Sequence, residues 1–163
     1  PTLNVTVSDE CLNIFQSLKL HKMYKYILYK FSEDKKYFVI DKAVETTESD
    51  EDDGTSYKES YEKFYAEITG KNVPYFAIYD FDYEKLGEGL RNKIIFISWI
   101  PTNADIQDKV LSAASKQVLG TKLDVSFQIE GTEANDIKFE AAFTSMWVLA
   151  ILIHEKKTSS EVL

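Results

Sequence analysis

The chain has few of the residues that mark several classes of protein. Its 163 residues include one cysteine, three prolines and six glycines. Cys11 alone cannot form an internal disulfide, which fits a reducing compartment. So little proline and glycine argues against a fibrous or disordered chain. No segment combines the basic start, apolar run and small-residue cleavage site of a secretory signal, so we expect a cytoplasmic protein.

Long hydrophobic runs are also missing. The longest, Met146–Ile153, is far shorter than the roughly 20 residues that a membrane-spanning helix needs. The formal net charge of −8 argues against nucleic-acid binding, which depends on neutralising phosphates. The charge is uneven, because residues 45–53, ETTESDEDD, are acidic without a single base. We interpret 45–55 as a solvated acidic loop, and we expect neither a transmembrane segment nor a nucleic-acid partner.

What the chain does have is enough aromatic and aliphatic residues for one well-packed domain, including ten Phe and ten Tyr. Runs rich in Val, Ile, Tyr and Phe predict strands at Tyr24–Phe31, Lys36–Val44, Pro74–Tyr83, Lys93–Ile100 and Leu123–Glu130. Caps and helical periodicity predict helices after Ser8, over Ser56–Ile68, from Thr102 or Asn103 to Gly120, and from near Asn135.

This order of elements predicts the fold class. Helices mixed among hairpin-joined strands indicate an α+β domain, with a central mixed sheet and helices on both faces. We predict a single domain over residues 1–163. It would have a flexible N-terminal arm at 1–7 and a frayed tail at 155–163.

Sequence motifs for catalysis or metal binding are absent. Neither histidine has a metal-ligand spacing, the cysteine has no CxxC partner, and GxSxG, P-loop and GxGxxG motifs are missing. The GEG at 87–89 lies between two predicted strands, where a hairpin turn is the ordinary explanation. Asp80 and Asp82 alternate on a strand and could bind a cation or act as acid and base, but pairing with nearby Lys or Arg is more common. We therefore predict no enzyme activity, no metal and no cofactor.

The helix predicted after Pro101 offers a binding surface instead. Its buried stripe is predicted at Leu111, Ala114 and Val118. Residues 112–115, SAAS, would leave a low-relief surface that a partner can approach closely. Lys109 and Lys116 flank that surface and could pair with acidic groups of a partner. On spacing alone, an ordinary exposed helix face remains an open alternative.

The same residues carry a family resemblance. Residues 93–124, KIIFISWIPTNADIQDKVLSAASKQVLGTKLD, closely resemble the actin-depolymerising factor/cofilin family, whose pattern is a strand ending in Trp, a proline turn and a helix with K[MV]-x-x-[AS]-S-K. VSDEC with FQSLKL, YKYILYK, YFAIYDFDY and EGTEANDI resemble further family segments in the family's order. The resemblance covers about residues 3–146 and implies the ADF-homology fold, which is shared with gelsolin segments.

The resemblance also implies a function and its sites. The family binds actin monomers and filaments, severs filaments and speeds subunit loss, without covalent chemistry. The implied surface for monomers and filaments comprises Thr2, Leu3, Asn4, Val5, Lys109, Val110, Ser112, Ser115 and Lys116. The implied filament-specific surface comprises Arg91 and Lys93. The alternative is a protein of the same fold that binds filaments or the branch complex without severing.

The chain departs from the family pattern at two positions that affect regulation and charge. Leu3 stands where the family usually has a regulatory Ser, so control by phosphorylation there is in doubt. Gln107 stands where the family commonly has Lys or Arg. With that base missing, we expect phosphoinositide binding to be weak. We expect a monomer on the actin cytoskeleton.

Overall fold

The computed structural model describes residues 5–47 and 56–148 of the chain. The first four residues of the predicted arm, most of the predicted acidic loop and the predicted tail lie outside these described residues. Within the described ranges, no helix is both long and apolar enough to cross a bilayer.

Six strands and four α-helices make up the described fold. In chain order they are β1 (Thr6–Val7), α1 (Asp9–His21), β2 (Tyr24–Phe31), β3 (Tyr37–Glu45), α2 (Ser56–Thr69), β4 (Tyr75–Lys85), β5 (Gly89–Trp99), α3 (Ile106–Leu123), β6 (Gln128–Gly131), a 3₁₀ turn (Ala134–Ile137) and α4, which covers 139–148. Most predicted elements are therefore confirmed within a few residues.

The sheet is mixed, as predicted. Its strand order is β1-β3-β2-β4-β5-β6. The two outer strands run parallel to their neighbours, while the four inner strands pair antiparallel. The tight hairpin between β4 and β5 places Gly87 at φ 80° and Gly89 at φ 79°. These left-handed values favour glycine and confirm the hairpin turn predicted from GEG.

Each face of the sheet carries its own hydrophobic cluster. The first cluster packs α2 and α4 on the sheet through Tyr26, Tyr61, Phe64, Tyr79, Phe81, Ile95, Ile97, Phe139 and Met146. The second packs α1 and α3 on the opposite face through Phe15, Leu18, Ile27, Tyr29, Phe76, Ile78, Phe96, Leu111, Leu119 and Leu123. This arrangement confirms the prediction of an α+β fold with helices on both faces of the sheet.

The predicted flexible arm is corrected at residues 5–7. Val5 is buried in the cluster beneath α1 and α3. Thr6 and Val7 pair with Tyr37 and Phe38 of β3. Residue patterns cannot predict this pairing, because a two-residue strand has no measurable periodicity. The start of the described chain is therefore anchored to the sheet.

The N-cap of α3 is Asp105, two or three residues after the predicted Thr102 or Asn103, and the helix runs to Leu123, three residues past the predicted stop at Gly120. Pro101–Ala104 first makes a turn, in which the Ala104 N–H donates to the Pro101 carbonyl at 3.0 Å. At the other end, Gly120 lies inside the helix, where a Cβ would come within 2.7 Å of Nε2 at the end of the flexible Gln128 side chain. Asp124, at φ 57°, takes the left-handed position that ends the helix.

The strand predicted over Leu123–Glu130 is only partly formed. Leu123 belongs to α3, and the hydrogen-bonded strand covers Gln128–Gly131. The alternation that suggested a strand is real, since Val125 and Phe127 are buried between exposed neighbours. Alternating burial thus indicates an extended backbone, but an extended segment is not always hydrogen-bonded into a sheet.

Candidate functional site

The exposed face of α3 is apolar. Ile106, Val110 and Val118 are 76%, 53% and 41% exposed. With the exposed Ala114, they are spaced four residues apart along the helix. Residues at this spacing lie on one side of a helix, so they form a continuous stripe. We call Ile106, Val110, Ala114 and Val118 the apolar stripe of α3.

This stripe corrects the predicted orientation of the helix. Ala114 and Val118 were expected in the core, but only Leu111 of the predicted buried set lies there. Ser112 and Ser115, expected at the binding surface, are 0% and 1% exposed. They therefore cannot contact a partner while the helix stays on the sheet. Serine is small enough to be buried under a packed helix but gives no hydrophobic signal, which is why periodicity placed the wrong residues inside.

The two lysines predicted to flank the binding surface, Lys109 and Lys116, are both engaged within the chain. Lys109 Nζ donates to the Thr102 carbonyl at 2.5 Å. Lys116 Nζ lies 2.6 Å from the Glu130 carboxylate in β6. The charge of Lys116 is thus partly compensated by Glu130, while Lys109 is held by a neutral carbonyl. The apolar stripe, and not the lysine charge, is the most available feature of this face.

An ion pair between a buried carboxylate and a partly exposed lysine anchors the first turn of α3. Asp108 is 8% exposed, and its carboxylate pairs with the ammonium group of Lys35 in the turn between β2 and β3. The sequence reasoning missed this contact. The sequence does indicate that Asp108 is buried, because it precedes Leu111 by three residues and so lies on the same side of the helix. A carboxylate in that position needs a partner, because burying an unpaired charge is costly.

The predicted filament-specific residues lie across the sheet from α3. Arg91 and Lys93 are two residues apart in β5, so they share a strand face with Ile95 of the α2–α4 cluster. The Arg91 guanidinium is 4.0 Å from the Glu88 carboxylate. Lys93 Nζ is 5.7 Å from the centre of the Phe127 ring. The structure thus brings these two bases together, on the opposite face from the apolar stripe.

A small cavity adjoins Lys93. Its volume is about 90 Å³, and it is lined by Tyr83, Lys85, Lys93, Phe143, Met146 and Trp147. Trp147 and Val148, whose secondary structure the sequence left undecided, are helical here, while 149–153 lie outside the described residues.

The two strand carboxylates that might have formed a catalytic pair are engaged in ion pairs. Asp82 lies 2.7 Å from Lys25 Nζ, and Asp80 lies 3.5 Å from Lys22 Nζ. Asp80 also accepts from Asn92 Nδ2 at 3.0 Å. This confirms the expectation that neighbouring lysines are their partners. Across residues 5–47 and 56–148, no group of three His, Cys, Asp or Glu side chains could hold a metal ion.

Comparison with known proteins decides the family. A family model described as "Cofilin/tropomyosin-type actin-binding protein" matches residues 4–144. The chain belongs to the ADF/cofilin family. The resemblance inferred from the sequence motifs is therefore confirmed. The chain is an actin-binding protein of a family that is not enzymatic.

Relatives in this family match most of the chain. The cofilin of Gibberella zeae is 40% identical over 138 residues, covering 83% of this chain and 89% of that protein. The cofilin of Mycosarcoma maydis is 39% identical over 137 residues, with 83% and 89% coverage. Among solved structures, actin depolymerization factor 2 of Plasmodium berghei superposes with a TM-score of 0.72 at 30% identity, covering 86% of this chain and 94% of that one. The ADF-homology fold is thus confirmed.

Proposed function

We propose that this ADF/cofilin protein binds both actin monomers and filaments, and that it severs and depolymerises filaments. The apolar stripe of α3 is the observation that carries the proposal. Three large aliphatic side chains, Ile106, Val110 and Val118, are exposed along one side of α3. Ala114 lies between Val110 and Val118 on the same side. An apolar helix face of this kind suits insertion into a hydrophobic groove of a partner.

We assign the N-terminal arm to the same actin-binding surface as the apolar stripe of α3. Val5 packs in the same cluster as Leu111 of α3, so the first described residue lies on the α3 side of the sheet. Thr2, Leu3 and Asn4 immediately precede Val5 and are assigned contacts with actin. Val5 itself anchors the arm, since it is buried.

The exposure of its side chains decides which residues of α3 are proposed to contact actin. Val110 remains a contact, together with Ile106, Ala114 and Val118. Lys109 and Lys116 lie at the rim and contribute when they exchange their internal partners for acidic groups of actin. Ser112 and Ser115 support the helix from below instead of touching actin.

Severing requires a second contact in this proposal. Arg91 and Lys93 lie on the sheet face opposite α3 and would bind an adjacent actin subunit in a filament. A protein that binds two subunits from opposite faces can favour one filament geometry over another. Such differential affinity shifts the filament towards that geometry, and a filament strained at the boundaries of the bound region breaks there.

Sedimentation and microscopy of the same samples test the proposal. Purified protein is mixed with labelled filaments, and both the actin remaining in the supernatant and the filament lengths are measured. We expect binding to the pellet at first, then shorter filaments and more actin in the supernatant. Filaments of normal length at saturating protein would reject severing and leave the chain a decorating binder of the same fold.

We also propose weak phosphoinositide binding and a monomeric state, on the cytoplasmic actin cytoskeleton. The two lysines of the α3 face are engaged internally, and the nearby Gln107 is exposed but uncharged. Flotation with phosphoinositide-containing vesicles tests the first statement, and strong co-flotation would contradict it. Light scattering on a sizing column tests the second.

A further inference from the structure

The turn between β2 and β3 is tightly held. The Lys35 N–H donates to the Ser32 carbonyl at 2.9 Å, and the Ser32 N–H donates to the Tyr37 carbonyl at 2.8 Å. The Asp34 carboxylate accepts from the Ser32 hydroxyl at 2.6 Å and from the Lys36 N–H at 3.1 Å. Side chain and backbone therefore close the turn together, which fixes the positions of Lys35 and Lys36.

Two other segments attach to this turn through consecutive residues. The Lys36 carbonyl accepts from the Thr6 N–H at 2.8 Å, which holds β1, the last two residues of the arm. The Lys35 ammonium pairs with Asp108 in the first turn of α3. Lys35 has φ 62°, a left-handed value that is uncommon for a residue with a side chain. The arm and the helix, both assigned to actin binding above, thus share one anchor.

We propose that Lys35 and Asp108 are positioning residues, which hold the apolar stripe of α3 in a fixed relation to β1 at the end of the N-terminal arm. This inference rests on the proposed function for its role in actin binding. The Asp108 side chain is only 12% exposed, so it acts through the placement of the helix and not through contact with a partner. If the pair is broken, the buried carboxylate loses its counter-charge and the first turn of α3 must shift to reach water.

A double-mutant cycle on monomer binding tests the positioning role. The affinity for labelled actin monomers is measured for the wild type, Lys35→Met, Asp108→Asn, the double variant and Lys35→Arg. We expect each single loss to weaken binding about fivefold, with the double variant no weaker than the worse single variant, because the two residues act as a unit. Lys35→Arg keeps the charge and should bind nearly as well as the wild type.

A matched control separates positioning from general stability. Lys42 forms an ion pair of similar exposure with Glu67, at 2.8 Å, elsewhere on the protein. Lys42→Met should leave actin affinity unchanged. Two results would overturn the proposal: unchanged affinity in the Lys35→Met/Asp108→Asn double variant despite a lower unfolding temperature, or additive losses, which would make Lys35 a direct actin contact.

Hydrogen exchange gives a readout that does not depend on actin. The Lys109 N–H donates to the Asp105 carbonyl at 2.9 Å in the first turn of α3. In Lys35→Met, exchange at the Lys109 amide should speed up about threefold or more, while Lys42→Met leaves it unchanged. Unchanged exchange in Lys35→Met rejects the positioning role, whether or not the protein binds actin. If the wild type does not bind actin but exchange accelerates, the proposed function fails and the anchoring role stands.

Discussion

The Lys116 ammonium lies 2.6 Å from the Glu130 carboxylate, and this contact ties α3 to the edge strand β6. Both side chains are partly exposed, at 34% and 43%. Exposed pairs contribute only about 0–1 kcal/mol to stability and weaken with salt. The pair is therefore weak enough for Lys116 to leave Glu130 and pair with an acidic group of a partner. Its main effect is to reduce the positive charge that the partner meets on this face of α3.

Replacing Glu130 with Gln should strengthen actin binding. The change removes a negative charge beside the proposed surface and leaves Lys116 available to an acidic partner. We expect about a two- to fivefold gain in affinity at low salt, mainly through faster association, with less gain at high salt. Stopped-flow measurements with labelled actin monomers check this. Glu62→Gln, the same charge change on the exposed side of α2, should have little effect. Weaker binding of Glu130→Gln would mean that Glu130 instead orients Lys116 for contact.

Substitution of Val110 by Asp should weaken monomer binding about tenfold or more, because it buries a carboxylate in the apolar centre of the interface. Val110 is 53% exposed and Val73, in the loop before β4, is 48% exposed. Val73→Asp is thus a matched control and should bind normally. Equal affinity of the two variants in a monomer titration would remove the apolar stripe from the binding site.

The double substitution Arg91→Ala with Lys93→Ala should spare monomer binding and weaken filament binding. The two bases lie across the sheet from the apolar stripe, so their loss leaves that surface intact. Cosedimentation and monomer titration measure the two affinities separately. Parallel loss of both affinities would show that the protein has no separate filament surface.

Phe64→Ala should destabilise the fold without touching either proposed surface. Phe64 is fully buried, and its ring centre lies 4.8 Å from that of Tyr79 and 5.1 Å from that of Tyr26. Removing a buried phenyl ring costs about 3–5 kcal/mol in the free energy of unfolding. Urea denaturation measures this loss. Leu86→Ala, at a side chain that is 96% exposed, should change the free energy of unfolding by less than about 0.5 kcal/mol.

Stability should depend on Asp136 in a pH-specific way. Backbone N–H groups of Glu133 and Thr132, each at 3.0 Å, hold the pKa of the Asp136 carboxyl below its usual value. Since the folded pKa is lower than the unfolded one, the stabilisation is present above about pH 4 and is lost as pH falls through the folded pKa. Asp136→Asn should therefore melt below the wild type at pH 7, and the gap should close as pH falls through the folded pKa of Asp136. A gap in melting temperature that stays constant as the solution is acidified would contradict this linkage.

The sequence predicted the sheet and most helices because their patterns are strong. β4 and β5 are long, aromatic or aliphatic, and separated by a glycine turn. The family motif in residues 93–124 was equally informative, since it joins a strand, a proline turn and a helix in one order. These features depend on local residue types, which a single sequence displays directly.

The phase of α3 could not be predicted in the same way. Alanine and valine occur on its exposed side, and Ser112 and Ser115 on its buried side, so hydrophobicity points in the wrong direction. The partners of Lys116 and Asp108 come from distant segments, β6 and the β2–β3 turn. Such contacts depend on tertiary packing, and no spacing along the chain encodes them.

The shortest strands of the sheet are the ones at its edges. Thr6–Val7 and Gln128–Gly131 offer only two and four residues of outward-facing backbone. Each covers only part of the strand beside it, because β1 pairs with Tyr37 and Phe38 of β3 and β6 pairs with Phe96–Trp99 of β5. The remaining outer edges of β3 and β5 have no further strand partner among the described residues. They carry Asp41, Lys42, Arg91 and Lys93, and charged side chains on an exposed edge oppose edge-to-edge pairing with another sheet.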